Sequence, residues 1–216
     1  DLSERRLAAD LVFYPPVPQV KQLSWADFKG RWYSGWEWIP MPAQFAAKRA
    51  ANHPVNKEKP KLLVTMGGSD PAGMTLQAID VLDSLDDQFD TVIVIGSAFM
   101  HTNALKKRLN DARRDYQLIV NPTSIATVMA DADLALVSFG ATAYELACLG
   151  VPAIYLCLTE DHATSASALN AAGAGVSLGL YSAITSTAIR STIKQLLNDP
   201  DRCGQIHKSA LALVDG

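Results

Sequence analysis

From residue 61 onward, short apolar runs alternate along the chain with segments of helical periodicity. Apolar runs of strand length occur at 62–66, 91–95, 117–120, 134–137, 153–158 and 176–178. Between them, apolar residues recur at helical spacing, as at Met74, Ala78 and Leu82. Continuous apolar runs are typical of parallel strands that are buried on both faces. The pattern therefore predicts an α/β fold, a doubly wound parallel sheet of Rossmann-like type with helices on both faces.

One stretch combines a buried strand, a glycine turn and the start of a helix. Gly140 and Ala141 follow the run 134–137, and Thr142 and Glu145 have the T-x-x-E spacing of a capping box. This spacing predicts a helix that begins at Thr142. A helix N-terminus at the carboxyl end of a parallel strand favours phosphate, because its free N–H groups and its dipole attract anions. The Glu145 carboxylate either accepts hydrogen bonds from two ribose hydroxyls or only closes the capping box.

A second glycine-containing loop, 67–70, lies between the first predicted strand and the helix that follows it. Backbone N–H groups of Gly67, Gly68 and Ser69 could hold a diphosphate. The alternative is a plain tight turn in which Asp70 caps a helix whose first residue is Pro71. The loop matches neither the dinucleotide fingerprint nor the P-loop, and no acidic residue ends the second strand, so NAD is disfavoured.

Two more polar loops follow strands at the same predicted edge of the sheet. Asn121, with Pro122, could present backbone groups to the edge of a base, or it could form a simple turn. Asp161 and His162 could contact a sugar or a phosphate, or Asp161 could cap a helix that begins at His162. Four polar loops at one edge favour a ligand site more strongly than any one of them does.

Composition narrows the class of protein. The 216 residues are 49% hydrophobic and 19% charged, with a net charge of −3, which is typical of globular proteins and disfavours nucleic acid as a partner. The apolar stretch 146–158 is too short for a transmembrane segment, and no signal peptide is evident. The three cysteines indicate reduced thiols in a cytoplasmic protein. Neither they nor the four histidines have the spacing of a metal site.

The first 59 residues differ in composition from the remainder. All four tryptophans lie there: Trp25, Trp32, Trp36 and Trp38. The pattern predicts a strand at 11–14, a strand and loop at 31–41, a short helix at 45–52 and a polar hinge at 53–59. The tryptophans are interpreted either as a platform on which a sugar stacks or as anchors that hold a linker on the core.

Five segments in chain order together carry a resemblance to a known family. They are VTMGGSD at 64–70, IVNP at 119–122, MADADL at 129–134, GATAYE with LGVP within 140–152, and LNAAG at 169–173. Because of these segments, residues 60–216 resemble the C-terminal, nucleotide-sugar-binding domain of two-domain glycosyltransferases of the GT-B fold. The pattern is similar to the UDP-sugar hydrolase of the pseudaminic acid pathway and to spore-coat polysaccharide proteins. It is more distantly similar to the N-acetylglucosaminyltransferase of peptidoglycan synthesis.

The resemblance implies roles for particular residues. It implies that Glu145 holds the ribose of UDP, that the loops 67–69 and 140–142 hold the diphosphate, and that the segment from Asn121 to Ile125 lies against the uracil. The hydrolase has an Asn-Gln pair where this chain has Asp161-His162, so the resemblance does not specify the sugar. It implies no cofactor besides the UDP or UDP-sugar ligand.

The resemblance also implies a division into domains. Residues 1–59 resemble the last strand of an N-terminal domain and the linker that follows it. Residues 60–216 resemble the nucleotide-sugar-binding domain. In the hydrolase the catalytic histidine belongs to the N-terminal domain, which is missing here. The chain begins at Asp1 and has no clear terminal cap, so we expect a fragment that is catalytically inactive alone, and the sequence assigns no catalytic residue.

The sequence thus favours the donor-binding half of a UDP-sugar-using enzyme, a glycosyltransferase or a hydrolase. The biosynthesis of surface polysaccharide or nonulosonic acid is the expected context. Two alternatives stay open, a non-catalytic nucleotide-sugar-binding module and an unrelated Rossmann-like enzyme that uses NAD or S-adenosylmethionine.

Overall fold

Parallel strands build two sheets in the computed structural model, which describes residues 3–49 and 59–215. The strands are β1 Leu11–Tyr14, β2 Arg31–Ser34, β3 Lys61–Thr65, β4 Asp90–Ile95, β5 Tyr116–Val120, β6 Leu134–Ser138, β7 Ala153–Cys157 and β8 Val176–Leu180. The α-helices are α1 Ala43–Ala46, α2 Met74–Asp83, α3 Thr102–Asn110, α4 Ile125–Ala130, α5 Ala141–Leu149, α6 Glu160–Ala171, α7 Ser186–Leu197 and α8 Pro200–Leu213. Short 3-10 helices occupy Glu4–Ala8, Pro18–Gln22, Trp36–Trp38 and Tyr181–Ala183.

The main sheet has six strands in the order β5-β4-β3-β6-β7-β8, and each neighbouring pair is parallel. Alternate residues of β3 point into two separate cores. Leu63 packs in the cluster that contains Leu146 of α5, whereas Leu62 packs in the cluster that contains Ile79 of α2. Because helices cover both faces, the prediction of a doubly wound parallel sheet is confirmed.

The start of α6 differs from the expectation. The helix begins at Glu160, and the side chain of Thr159 accepts a hydrogen bond from the N–H of His162 at 3.2 Å. Thr159 is therefore the cap, and the predicted cap at Asp161 is wrong. Both acidic residues lie in the first turn, where the helix dipole favours negative charge, so either register agrees with the local sequence.

The N-terminal segment forms a two-stranded parallel sheet of β1 and β2. Trp36 packs against the main core, and Phe45 of α1 is fully buried in that core. The strands at 11–14 and 31–34 are confirmed. The helix predicted at 45–52 differs in the structure, where α1 is short and spans Ala43–Ala46. Residues 47–49 of that prediction form a turn, whereas residues 50–52 and most of the predicted hinge at 53–59 lie outside the described residues.

Across the described ranges, no helix is both long and apolar enough to cross a bilayer. The three cysteines are buried free thiols. Within the same ranges, no three His, Cys, Asp or Glu side chains are grouped closely enough to hold a metal ion.

A buried acid at the end of α2 ties the β5 edge of the sheet to that helix. The Asp83 carboxylate accepts hydrogen bonds from the N–H groups of Arg113 at 2.9 Å and Arg114 at 3.2 Å. It also accepts bonds from the Arg108 guanidinium at 3.0 Å and the Tyr116 hydroxyl at 3.2 Å. Burial raises the pKa of Asp83, but the hydrogen bonds from the three arginines outweigh burial and hold the pKa below its usual value.

We expect Asp83→Ala to lower the free energy of unfolding by about 3 kcal/mol, because it leaves buried donors without an acceptor. A lowered pKa means that the carboxylate stabilises the fold above the usual aspartate pKa and loses this effect as the pH falls through the lowered value. Urea unfolding at several pH values measures both effects. Asp83→Asn, which keeps part of the hydrogen bonding, should lose less. Equal stability of Asp83→Ala and the wild type would contradict this account.

Candidate functional site

The order of strands reverses between β3 and β6, and the two strands lead into helices on opposite faces of the sheet. The loop after β3 leads to α2, and the loop after β6 leads to α5. The two loops meet at this point, since a Cβ on Gly67 would lie 3.7 Å from Ser138 Oγ. Open α/β sheets bind their ligands in the crevice that such a reversal creates.

A cleft of about 310 Å³ opens beside this crevice, at the carboxyl ends of β3, β4 and β5. Six of the predicted site residues line it: Gly67, Gly68, Asn121, Ile125, Thr142 and Glu145. Pro122, within the predicted segment 121–125, also lines it, and five other lining residues were missed: Thr65, Val94, Ile95, Gly96 and Met129. A helical i, i+4 pair, Ile125 and Met129, is the sequence signal that could have found part of the apolar wall.

A larger cavity of about 410 Å³ lies at the amino ends of β4 and β5. Its buried charges are already used, because Asp83 accepts the bonds described above and the Arg114 guanidinium donates to the carbonyls of Leu82 at 2.9 Å and Asp87 at 2.7 Å. The buried charges of this cavity are thus satisfied within the fold, as expected of a structural network. The cleft at the carboxyl edge is the candidate functional site.

The loop after β3 contributes Gly67 and Gly68 to the lining of the cleft. Gly67 has a left-handed φ of 78°, which glycine adopts without strain. No described residue accepts a hydrogen bond from the N–H of Gly67, Gly68 or Ser69. These free N–H groups are available for an anion.

Asp70 is turned away from this surface. It is 1% exposed, and its carboxylate accepts bonds from the N–H groups of Met74 at 2.9 Å and Thr75 at 2.8 Å. The carboxylate thus satisfies the first N–H groups of the helix, as the capping interpretation expected, although the N-cap residue itself is Gly73. The helix begins at Met74 rather than at Pro71, because the intervening residues form a turn.

The helix after β6 begins differently from the capping-box expectation. It starts at Ala141 rather than at Thr142, and extended Gly140 precedes it without any side-chain cap. The first N–H groups of α5 are therefore left for water or a ligand. The predicted end at Gly150 is confirmed by its left-handed φ of 71°.

Glu145 consequently has no capping role. It is the fifth residue of α5 and lines the cleft, and its carboxylate makes no hydrogen bond within the described part of the chain. Burial raises the pKa of Glu145 above its usual value. A half-buried carboxylate without a partner is costly, so it marks a position where a hydroxyl-bearing ligand would supply the missing donors.

Two glycines at the crevice are not required by the fold. A Cβ on Gly68 or on Gly140 would meet no atom within 4 Å. Neither has a left-handed φ, so a larger residue could adopt either backbone. The space above them is therefore free for close approach of a ligand.

Asn121 directly follows β5 and has a left-handed conformation with φ 49°. Its N–H donates to the Ile95 carbonyl at 3.0 Å. This conformation is one that asparagine tolerates better than most residues. The bond holds the loop beside the apolar wall formed by Ile125 and Met129. Such a wall suits the face of a planar ring.

Asp161 and His162 lie in the first turn of α6 and do not line the cleft. The His162 ring is tilted against Phe139, with ring centroids 6.1 Å apart. The Gln19 amide from the N-terminal segment donates to the Asp161 carbonyl at 2.8 Å. The sugar contacts predicted for this pair stay a prediction.

Comparison with known proteins identifies similar sequences and folds. The chain is 28% identical over 188 residues to the spore coat polysaccharide biosynthesis protein SpsG of Bacillus subtilis, a match that covers 86% of this chain and 55% of SpsG. The chain thus spans about half the length of that relative. No protein-family model matches the chain.

Solved structures with this fold include glycosyltransferase-type proteins. MurG of Acinetobacter baumannii superimposes with a TM-score of 0.66 at 17% identity, over 97% of this chain and 64% of MurG. Anabaena HepE, solved in complex with UDP-glucose, superimposes with a TM-score of 0.61 at 18% identity, over 94% of this chain and 58% of HepE. At these identities the likeness shows the fold, a Rossmann-like α/β fold shared with GT-B proteins.

The tryptophans do not contribute to the cleft. Trp36 serves as an anchor on the main core, as one of the two interpretations expected. Trp25 and Trp32 stack on each other with centroids 4.8 Å apart, and Trp38 packs against Phe13 and Tyr33. Trp32 and Trp38 stay 43% and 37% exposed, so the N-terminal segment carries an aromatic surface.

Proposed function

We propose that the chain is the nucleotide-sugar-binding part of an enzyme that uses a UDP-sugar in polysaccharide or nonulosonic acid biosynthesis. The single observation that carries this proposal is Glu145, a half-buried carboxylate that lines the cleft without a partner. Two adjacent ribose hydroxyls would supply two donors to its oxygens. The similarity to SpsG supports the polysaccharide context.

The geometry supports a specific way of holding the ligand. The diphosphate would lie between Gly68 and Gly140, where it would accept hydrogen bonds from the free N–H groups of the loop 67–69 and of the α5 N-terminus. The base would lie against Ile125 and Met129, and the ribose would bridge to Glu145. These N–H groups would neutralise charge on a diphosphate leaving group, so this chain would contribute positioning and electrostatic stabilisation.

Reaction of the sugar would need groups from another part of the parent protein. The chain matches 55% of SpsG, which supports a division of labour between two halves. The sheet of β1 and β2 has only two strands, and it exposes Leu11 and Phe13 by 55% and 40%. Parallel sheets are normally covered on both faces, so this surface is where we propose that the N-terminal half packs.

Calorimetric titration with UDP, CMP, ADP and NAD tests the proposal. We expect UDP to bind more tightly than the other three, and we expect the purified chain not to turn over a UDP-sugar. Preferential binding of NAD would instead favour the unrelated Rossmann-like enzyme. Turnover by this chain alone would overturn the assignment of catalysis to the proposed N-terminal half.

A further inference from the structure

The loop between β4 and α3, residues 96–101, packs directly against the glycine loop after β3. It is a rigid element, since the Phe99 N–H donates to the Gly96 carbonyl at 3.2 Å and the Phe99 side chain is only 8% exposed. His101, which precedes α3, packs edge-on against Phe99 with ring centroids 5.8 Å apart. The loop is thus anchored in the core on one side and meets the glycine loop on the other.

Two hydrogen bonds join these loops. The Met100 N–H donates to the Ser69 carbonyl at 3.1 Å. The Nε2 atom of His101 lies 2.9 Å from the Asp70 carbonyl oxygen, and because a carbonyl only accepts, Nε2 carries the proton in this bond. Both bonds use carbonyl groups of the glycine loop and none of its N–H groups.

A third contact is steric. A Cβ on Gly96 would lie 2.7 Å from the Gly68 carbonyl oxygen and 2.8 Å from Gly68 Cα. Both atoms belong to the backbone, so they cannot move aside as a flexible side chain would. Gly96 is therefore needed for Gly68 to occupy its position, whereas Gly68 itself has open space above it.

We infer that Gly96 and His101 are positioning residues of the nucleotide site. They fix the carbonyl side of the loop 67–70, so that its free N–H groups stay preorganised toward the cleft. His101 acts only through the loop, because it does not line the cleft. This inference rests on the proposed function, since it assigns these residues to the site where the diphosphate would bind. Preorganisation of this kind raises affinity by removing the cost of ordering the loop on binding.

The experiment compares His101→Ala, His101→Gln and Gly96→Ala with the wild type. Amide hydrogen exchange is measured in the ligand-free protein at Met74 and Met100, whose N–H groups bond to Asp70 and Ser69. UDP affinity is measured by calorimetry on the same proteins. We expect His101→Ala and Gly96→Ala to accelerate exchange at both amides and to weaken UDP binding at least fivefold. His101→Gln should restore both, because the glutamine amide can donate to the Asp70 carbonyl.

Matched controls separate this effect from general destabilisation. Lys106→Ala changes an exposed residue of α3, and Gly204→Ala adds a Cβ in α8 where no atom lies within 4 Å. Both should leave exchange at the two amides and UDP affinity unchanged. If the wild type binds UDP and His101→Ala binds it equally well, the inference fails while the proposed function stands. If the wild type binds none of the nucleotides, the proposed function fails and the inference fails with it.

Discussion

Glu145→Gln should weaken UDP binding at least tenfold, about 1.4 kcal/mol, without lowering the thermal midpoint of unfolding. Glutamine has nearly the shape of glutamate, but it replaces one charged acceptor oxygen with an amide donor, so it cannot accept from both ribose hydroxyls. The carboxylate makes no hydrogen bond to a described residue, so the fold loses none. Calorimetry for affinity and thermal unfolding for stability measure the two effects.

The pH dependence of UDP affinity, compared between the wild type and Glu145→Gln, gives a second check. Burial raises the pKa of Glu145, which means that the ligand-free fold disfavours the charged form. This cost is absent below the usual glutamate pKa and is fully present above the raised value. UDP affinity of the wild type should therefore fall as the pH drops toward the raised pKa, because the protonated carboxyl is a weaker acceptor, and Glu145→Gln should show a flatter profile. Reduced stability with unchanged affinity would contradict the assignment and indicate a structural role.

Valine in place of Gly68 or of Gly140 should weaken UDP binding about a hundredfold, about 2.7 kcal/mol, with little effect on folding. The added methyl groups would project into the open space above each glycine, which the diphosphate would occupy. Neither backbone is left-handed, so valine adds no conformational strain there. Calorimetric titration of each variant with UDP measures the loss, and denaturant unfolding confirms the fold.

The control for these variants is Gly204→Ala, which also adds a side chain into open space but lies in α8, away from the cleft. It should bind UDP as the wild type does. Unchanged affinity in both valine variants would show that no ligand approaches these glycines closely, and the diphosphate would then have to lie elsewhere along the edge. Loss in only one of them would place the diphosphate at that loop alone.

The order of strands and helices along the chain could be predicted because its signals are local. Apolar runs of strand length, the cap at Asp70 and the end of α5 at Gly150 depend on neighbouring residues. From alternating strands and helices, the connection rules lead to a doubly wound parallel sheet. For most helices and strands, the predicted ends therefore agree with the structure to within a few residues.

The first residue of a helix is harder to predict from sequence, because more than one residue suits the same position. The T-x-x-E spacing at Thr142 permits a capping box. In the structure, however, the helix that follows β6 begins at Ala141, and no side chain caps it. Thr159 and Asp161 can both cap α6, and the path of the chain after β7 selects Thr159. Choices of this kind depend on where each strand ends in the sheet, which local sequence does not specify.

The features that give the cleft its character arise from residues far apart in sequence. Glu145 of α5 shares a cleft with the loops after β3 and β5, yet its carboxylate makes no hydrogen bond to a described residue. Gly96 is required because Gly68 packs on it across two neighbouring strands. The elements, and the edge of the sheet at which the polar loops lie, thus follow from local pattern. The burial of the Glu145 carboxylate and the packing of Gly96 on Gly68 exist only once the parallel strands are assembled in the order β5-β4-β3-β6-β7-β8.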